Sequence, residues 1–586
     1  MKKRMGLLPA LLAKILFGLA MACVVLVVPL YGQVERASIV GTVTDSSGAV
    51  MPGVQVEVTN EATNTTTRLI TDSAGSYTAV NLIPGSYTVG ASLQGFQSKS
   101  FRNFVVQVSQ RARLDITLAV GGLEQAIEVT ATAPLLQTEN ATVGQVINSE
   151  AVNALPLNGR NFVQLAILAP GVSGLDYAQQ GTINSGRRPD ELRPGGTTLQ
   201  ANGASSWSNQ VLIDGIDNTE MISQTFVVRP AVEGIQEFKV ITNNAGAEYG
   251  RSAGAVVVIT TKAGGNNLHG SVFEFFRNSA LDARNYFANP DFEKPPFRLN
   301  QYGGSLGGPI VKNRTFFFAT YEGYREVFGD TQLVTVPTMA MRQGNFQGVT
   351  ANGIYDPLTT RPNPNGSGTI RDRFPNDIIP PERWDRIGAA LINMYPAPQN
   401  SSVFNNYVAN PQKVSSMHRA DGRIDHQLSP RDTLFGRYSI DRGFLTIPET
   451  FNTDIGGSPA SFGGDNDVKG QNIVGSWTRP LSSNQVLEVR YGYTQYDMAL
   501  MPTQLTNPVW QTIPGRNNSD PYQPSAPIID PSDRVGLGNA RSTPLIRNQH
   551  MHEVIANMNW QRGSHNILFG ADIRWRRTSE TASPPG

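Results

Sequence analysis

Apolar and polar positions alternate with a period of two over most of this chain. From Ser38 to Val120 the alternating runs are short and separated by turn residues. Ile39-Val40-Gly41-Thr42-Val43-Thr44 leads into Asp45-Ser46-Ser47-Gly48, and Val54-Gln55-Val56-Glu57-Val58 alternates strictly, as a half-buried strand does. Further strands are predicted over Thr66–Thr71, Ser76–Val80, Ser86–Leu93 and Arg113–Leu118, with turns at Asp72-Ser73-Ala74-Gly75 and Pro84-Gly85. That spacing predicts a small β-sandwich. After a hinge at Gly121-Gly122, Ile127, Val129 and Ala131 alternate with Glu128, Thr130 and Thr132, enough for one isolated strand.

Residues 138–262 mix periods. Ser149–Leu155 predicts a short helix, and a second follows with Phe162, Leu165 and Leu168 on one face. Strand-like phrases come next at Val211-Leu212-Ile213-Asp214-Gly215-Ile216-Asp217, at Ile235–Val240 and at Ala255–Lys262. Gly250 and Gly254 would permit tight turns and close backbone approach.

From residue 265 onward longer alternating runs dominate. Leu487, Val489, Tyr491 and Tyr493 interleave with Glu488, Arg490, Gly492 and Thr494. Ile567, Phe569, Ala571, Ile573 and Trp575 interleave with Asn566, Gly570, Asp572, Arg574 and Arg576, and Ala420, Gly422, Ile424 and His426 with Arg419, Asp421, Arg423 and Asp425. Apolar-out, polar-in strands of about ten residues are what a lipid-embedded barrel with a wet interior requires. The fold class expected is therefore mainly β: an N-terminal sandwich, a small α/β unit, then the N-terminal part of an antiparallel transmembrane barrel.

The extreme N-terminus changes the setting. Lys2, Lys3 and Arg4 precede an apolar stretch from Leu7 to Leu30, broken by Lys14, which predicts an export signal cleaved near Gly32-Gln33. The alternative is a retained anchor, but Ile15–Leu30 is only 16 residues, short of the ~20 a span needs. The single cysteine, Cys23, lies inside that stretch, so the exported chain would carry no disulfide. The net charge of +1 gives no global reason to expect nucleic acid or acidic partners.

Two resemblances rest on particular residues. Gly41-Thr42-Val43-Thr44-Asp45, Pro52-Gly53-Val54, Asp72-Ser73-Ala74-Gly75-Ser76-Tyr77 and Leu82-Ile83-Pro84-Gly85-Ser86-Tyr87 resemble the carboxypeptidase regulatory-like domain, an accessory module without peptidase activity. The phrases of residues 138–262, ending in Ala247-Glu248-Tyr249-Gly250-Arg251-Ser252-Ala253-Gly254-Ala255-Val256-Val257-Val258-Ile259-Thr260-Thr261-Lys262, resemble in their order the plug of TonB-dependent receptors. Leu306-Gly307-Gly308-Pro309-Ile310, Arg314-Thr315-Phe316-Phe317-Phe318 and Arg373-Phe374-Pro375-Asn376-Asp377-Ile378-Ile379-Pro380-Pro381 look like the Oar-like subgroup of those receptors.

The resemblance implies a division into signal peptide (1–32), regulatory-like sandwich (33–120), linker (121–137), plug (138–262) and barrel (265–586). Within the linker, Ile127, Glu128, Val129, Thr130 and Ala131 look like the TonB box, by which such receptors engage an inner-membrane energy-coupling protein; strand addition suits that contact. The alternative is a plain interdomain linker. Plugged transporters of this class use about 22 strands, whereas roughly nine or ten alternating segments follow residue 265. The sequence is accordingly expected to be a fragment, with an open sheet edge that lipid would not tolerate.

Candidate chemistry is sparse. Gly303-Gly304-Ser305-Leu306-Gly307 has the spacing of a nucleophile elbow but lacks the strand-to-helix turn that motif needs. His550 and His552 would share a strand face without further metal ligands nearby. Asp214 and Asp217 could touch a ligand in the plug, although Asp214-Gly215 more readily makes a turn. No catalytic set, cofactor or metal site is expected. The expected function is energised uptake across the bacterial outer membrane, with lipid, the TonB protein and an extracellular ligand as partners. The subgroup resemblance leans toward an oligosaccharide or peptide ligand, hence carbohydrate binding. The alternative is an outer-membrane adhesion or surface-binding protein.

Overall fold

A computed structural model describes residues 37–121, 127–130, 141–173, 199–205, 208–222, 224–250, 252–284, 286, 294–329, 331–349, 351–451, 455–457, 463–482, 484–503, 505, 507–513, 526–531, 534–539, 543–562 and 565–582. The expected signal peptide, Cys23 and Ala131 lie outside the described residues.

The N-terminal unit is a two-sheet sandwich. Its strands are β1 (Ala37–Asp45), β2 (Gln55–Asn60), β3 (Thr66–Ile70), β4 (Ser76–Leu82), β5 (Gly85–Ser92), β6 (Lys99–Val106), β7 (Arg111–Arg113) and β8 (Ile116–Leu118). One sheet runs β4-β1-β7, with β8 also on β1; the other runs β3-β2-β5-β6 and ends on β9 (Ile127–Thr130). The alternation of β2 puts Val56 and Val58 into the core, where they meet Ile39, Val43, Tyr77, Val89, Phe104 and Val106. Each buried Tyr finds an acceptor: Tyr77 donates to the Leu114 carbonyl at 2.7 Å and Tyr87 to that of Ile83 at 2.7 Å. Burial of these rings thus leaves no unsatisfied hydroxyl.

Sequence pattern does not predict β6. A register shift against β5 between Tyr87 and Val89, with Asn103 at φ 56°, breaks its alternation and leaves only Phe104 and Val106 buried. The stretch predicted as one strand over Arg113–Leu118 is split between β7 and β8, both parallel to β1.

Residues 141–262 form the second unit. Its strands are β10 (Val143–Asn148), β11 (Val172–Ser173), β12 (Gln200–Ala201), β13 (Gln210–Ile213), β14 (Ile216–Asp217), β15 (Ile235–Asn243) and β16 (Val256–Thr261). The central sheet has the order β10-β15-β16-β13-β14, and β11 pairs only with β12. The helix Ser149–Ala154 is capped by Asn148, whose side chain accepts from the Ala151 N–H at 2.9 Å. The second predicted helix is a 3-10 turn, Phe162–Leu168. Phe162 and Leu165 are buried, but Leu168 is exposed, since the tighter winding ends before a third apolar side chain can turn inward.

The wall is one antiparallel sheet of nine strands: β17 (His269–Asn278), β18 (Phe297–Val311), β19 (Thr315–Gly329), then β24 to β29. Between β19 and β24 a long loop carries the small pairs β20 (Gln332–Val334) with β23 (Tyr407–Ala409), and β21 (Arg361–Pro362) with β22 (Thr369–Ile370). The remaining wall strands are β24 (Gln412–Gln427), β25 (Thr433–Ile447), β26 (Gly464–Ser482), β27 (Gln485–Met501), β28 (Leu545–Arg562) and β29 (His565–Ala582). Each pairs with its sequence neighbour, so β17 and β29 are the sheet's two edges. Short connections such as 312–314 and 428–432 lie at one end and long ones at the other, the asymmetry of periplasmic turns and extracellular loops.

The long loops share a core of Val336, Tyr395, Ile455, Trp510 and Leu537. The loop also carries a short helix, Arg386–Ile392, whose Leu391 packs against this core; Trp384 precedes the helix and stays 37% exposed.

Inward and outward faces separate as the alternation predicts. On β27, Glu488, Arg490, Gly492 and Thr494 are buried inward, and Leu487, Val489, Tyr491 and Tyr493 face out. Outward positions stay apolar or aromatic from Ile567 to Trp575 on β29 and from Leu434 to Ile440 on β25, and the next outward residues are Arg577 and Arg442. Seven to nine residues at ~3.3 Å each, tilted by roughly 40°, give a band about 18–23 Å tall, close to the ~25 Å apolar band of an outer-membrane barrel. No helix among the described residues is long and apolar enough to cross a membrane, which says nothing of strands.

Candidate functional site

The concave face of the wall is filled by the 141–262 unit, and charged side chains decide how it sits there. The hairpin from β13 to β14 turns at Asp214 (φ 45°) and Gly215 (φ 85°), a pair of left-handed residues suited to a two-residue turn. The glycine is required twice over. Besides its φ, a Cβ there would stand 1.5 Å from Arg490 Nη1 on β27.

Asp214 Oδ2 accepts from Arg437 Nε at 2.7 Å and from the Thr261 hydroxyl at 2.7 Å, while Oδ1 accepts from the Thr261 N–H at 3.0 Å and from Arg423 Nη1 at 3.3 Å. Arg423 is also held by Asp425, with both bonds at 2.8 Å. Burial opposes ionisation of Asp214, yet Arg423, Arg437 and the Thr261 bonds outweigh it and hold the carboxyl below its usual range.

Asp217, at the other end of the hairpin, is fully buried. Its Oδ2 takes Arg574 Nη1 at 3.0 Å and Arg576 Nη2 at 2.7 Å, both from β29, and its N–H donates to Glu553 of β28 at 2.8 Å. The alternation that sends Ile573 and Trp575 toward lipid therefore sends Arg574 and Arg576 into the lumen. Asp214 and Asp217 serve as the two ionic grips of one hairpin, each held by a pair of wall arginines.

Further ion pairs support the seat. Glu220 faces Arg547 at 3.5 Å; Arg160 pairs with Glu233 and reaches Glu322 at 3.5 Å; Arg229 lies 3.7 Å from Asp441. Toward the extracellular side the contact is apolar: Val468, Tyr496, Met498, Leu500 and Leu545 of the wall join the core of Phe162, Phe226, Val227 and Phe238. Gly254 lies where a Cβ would meet Asn209 Oδ1 at 2.5 Å, the close approach expected of it; Gly250 has open space around it and a negative φ. Buried ion pairs recover little net stability, but breaking one partner costs about 3–5 kcal/mol, so they specify position more than they hold it.

On the periplasmic side the sandwich contacts the same unit. Val108 packs among Leu212, Ile241, Tyr249, Val256 and Val258, and its N–H donates to Glu237. Lys239 Nζ reaches the Ser109 carbonyl at 3.4 Å. The predicted isolated strand is the edge of the sandwich: β9 runs parallel to β6, with Lys99 opposite Ile127, Ser100 opposite Glu128, Phe101 opposite Val129 and Arg102 opposite Thr130.

Sequence reasoning missed the wall side of this site. Arg423, Arg437, Arg574 and Arg576 stand out only as inward positions of alternating strands, and nothing local says that they meet Asp214 or Asp217. The other candidates fall elsewhere. Ser305 is mid-strand in β18, its Oγ 2.9 Å from that of Ser271; His550 and His552 face outward, their Nδ1 atoms 2.9 Å from the hydroxyls of Tyr493 and Tyr491. Among the described residues no group of three or more His, Cys, Asp or Glu is arranged to hold a metal ion.

Residues 260–586 match the outer membrane beta barrel domain family, and residues 38–119 match the carboxypeptidase regulatory-like domain. The TonB-dependent transporter Oar of Myxococcus xanthus is 25% identical over 310 residues, 50% of this chain and 27% of that protein. A mutant of the ferric enterobactin receptor PfeA from Pseudomonas aeruginosa aligns with a TM-score of 0.41 at 12% identity, over 75% of this chain and 49% of that one. The outer membrane transporter YddB from Escherichia coli gives 0.43 at 14% identity, over 74% and 49%. This chain thus spans 27% of the length of the curated relative it matches and about half of these solved chains.

Proposed function

This chain belongs to the outer membrane beta barrel domain family and resides in the bacterial outer membrane, and on that footing we propose that it is a plugged receptor driving energised uptake of an extracellular solute. Residues 1–32 are its export signal, 33–120 its accessory sandwich, 121–137 the linker, 138–262 the plug, and 265–586 barrel wall. The observation that carries this reading is the double grip on the plug hairpin. Asp214 and Asp217 are tied to wall strands β24, β25 and β29, so the lumen side is occupied and passage needs work done on the plug.

That work enters through Ile127, Glu128, Val129, Thr130 and Ala131, which a periplasmic energy-coupling protein takes by strand addition. Four or five backbone bonds at a net ~1 kcal/mol each, less the cost of association, make a weak and reversible grip. The ligand is an extracellular solute, with an oligosaccharide or peptide favoured by the subgroup resemblance.

The experiment compares the full chain with a variant lacking residues 126–132 in its own cells. The probe is the purified periplasmic domain of those cells' energy-coupling protein, and the readout is its co-recovery with outer membranes. Box-dependent co-recovery supports the reading. Equal recovery with and without the box, or a chain found outside the outer membrane, overturns it.

A further inference from the structure

The sandwich has no role in the reading above, yet it touches every part that must move. Its β6 pairs on one side with the box strand β9, and two residues beyond the end of β6 Val108 enters the plug's lower apolar cluster. At the same point the Val108 N–H meets Glu237 and the Ser109 carbonyl meets Lys239, both on plug strand β15. A single stretch of backbone, residues 99–109, therefore links the strand to be pulled with the plug sheet.

The same unit also closes the plug from below. The β4–β5 turn, Ile83-Pro84, stands beside Asp214, Arg423 and Arg490, leaving a void of only about 20 Å³, room for about one water. Further contacts lie at the periplasmic end of the wall. The Asn266 N–H donates to the Ala62 carbonyl at 2.9 Å, Asn64 Nδ2 to Asn313 Oδ1 at 3.3 Å, and Thr78 Oγ1 to Gln561 Oε1 at 3.2 Å.

We propose that the N-terminal sandwich is a second, periplasmic stopper, and that β6 is the rod by which a pull on β9 unseats it before the plug can move. This rests on the reading of residues 127–130 as the pulled strand. The mechanical logic is simple. A load on β9 is shared across its pairing with β6, so it is delivered to Val108 and Ser109 as well as along the linker. These wall contacts are single hydrogen bonds between neutral groups, Asn64–Asn313 exposed to water and Thr78–Gln561 buried, and each adds little on its own. Drawing Asp214 and Asp217 away from their arginines leaves buried charges unpaired on the way, a barrier that exchanging single hydrogen bonds does not meet. The sandwich leaves first.

Two variants of the full chain in energised cells test this, with Cys23→Ser in both. In the first, Pro84→Cys reports uncovering of the plug by its labelling with a membrane-impermeant maleimide, applied to cells with a permeabilised outer membrane. In the second, Asn64→Cys with Asn313→Cys adds a disulfide that pins the sandwich to the wall, and reductant provides its own folding control. The expected result is several-fold faster labelling of position 84 in energised than in de-energised cells, abolished by the oxidised pin and restored by reduction. Fast labelling that persists with the pin oxidised overturns the stopper, because the plug is then uncovered without the sandwich leaving. Energised labelling that survives deletion of residues 126–132 instead overturns the receptor reading itself. Labelling that needs the box but ignores the pin leaves that reading standing and removes the stopper.

Discussion

Asp217 and Arg576 meet at 2.7 Å across 359 residues of chain, one from a two-residue plug strand and the other from the last wall strand described. Arg574 shares the same carboxylate oxygen at 3.0 Å, so one buried acid answers two lumen-facing cations. Replacing Asp217 with Ala leaves both guanidinium groups without that partner. The expected cost is about 3–5 kcal/mol, read as roughly 100-fold or greater acceleration of hydrogen exchange at the amides of 216–219. Unchanged protection would mean that the hairpin is held by its apolar contacts alone.

Gly215 provides a backbone counterpart. Gly215→Ala forces a side chain into the left-handed region at about 1–2 kcal/mol, and its Cβ collides with Arg490 Nη1. Hairpin exchange should accelerate and Arg490 should be displaced from Glu488, now 2.9 Å away. Asp214→Asn, which keeps the turn geometry but loses the charge, separates the two contributions.

The seat of the sandwich should respond to pH. Burial pushes the Glu237 carboxyl up to about 8, against the Val108 N–H and Lys239, which favour the ionised form. Lys239 and Glu248, the charged groups nearest it, are also drawn toward neutrality by burial. A carboxyl raised on docking stabilises the docked state while protonated, so docking is strongest below the ordinary Glu range and weakens as pH rises through about 8. Spin labels at positions 64 and 313 should show a longer distance component growing over that upper range. Glu237→Gln, which still accepts from Val108, should flatten the response.

The lipid-facing band is open to a direct contrast. Val489→Arg puts a charge near mid-band, where about 2–4 kcal/mol is lost, and should lower recovery of folded chain in outer membranes. Asp497→Arg, on the same outward face above the band, should change little. Equal losses at both positions would place the hydrocarbon layer elsewhere.

Much of the wall is legible without coordinates. Leu487 to Thr494 and Ile567 to Arg576 announce their two faces because each strand separates lipid from a polar lumen, and a period of two is the only way a strand can satisfy both. The Asp214-Gly215 turn is legible for a similarly local reason: few residue pairs accept two successive positive φ values. Strand β6 was not legible, since a bulge and a polar edge erase its alternation. Leu168 misled, because helical spacing does not distinguish an α-turn from a 3-10 turn that ends early.

The sequence by itself determined the alternating strands of the wall, which face of each meets lipid, and where the hairpin turns, because these follow from local sterics and the medium on each side. Only the tertiary structure decided that Asp214 answers Arg423 and Arg437, that Asp217 answers Arg574 and Arg576, and that the Ile127–Thr130 strand rests on β6. Those pairings join residues up to hundreds of positions apart. Charge and alternation restrict the partners to a class, and only the packed register of the sheets selects among its members.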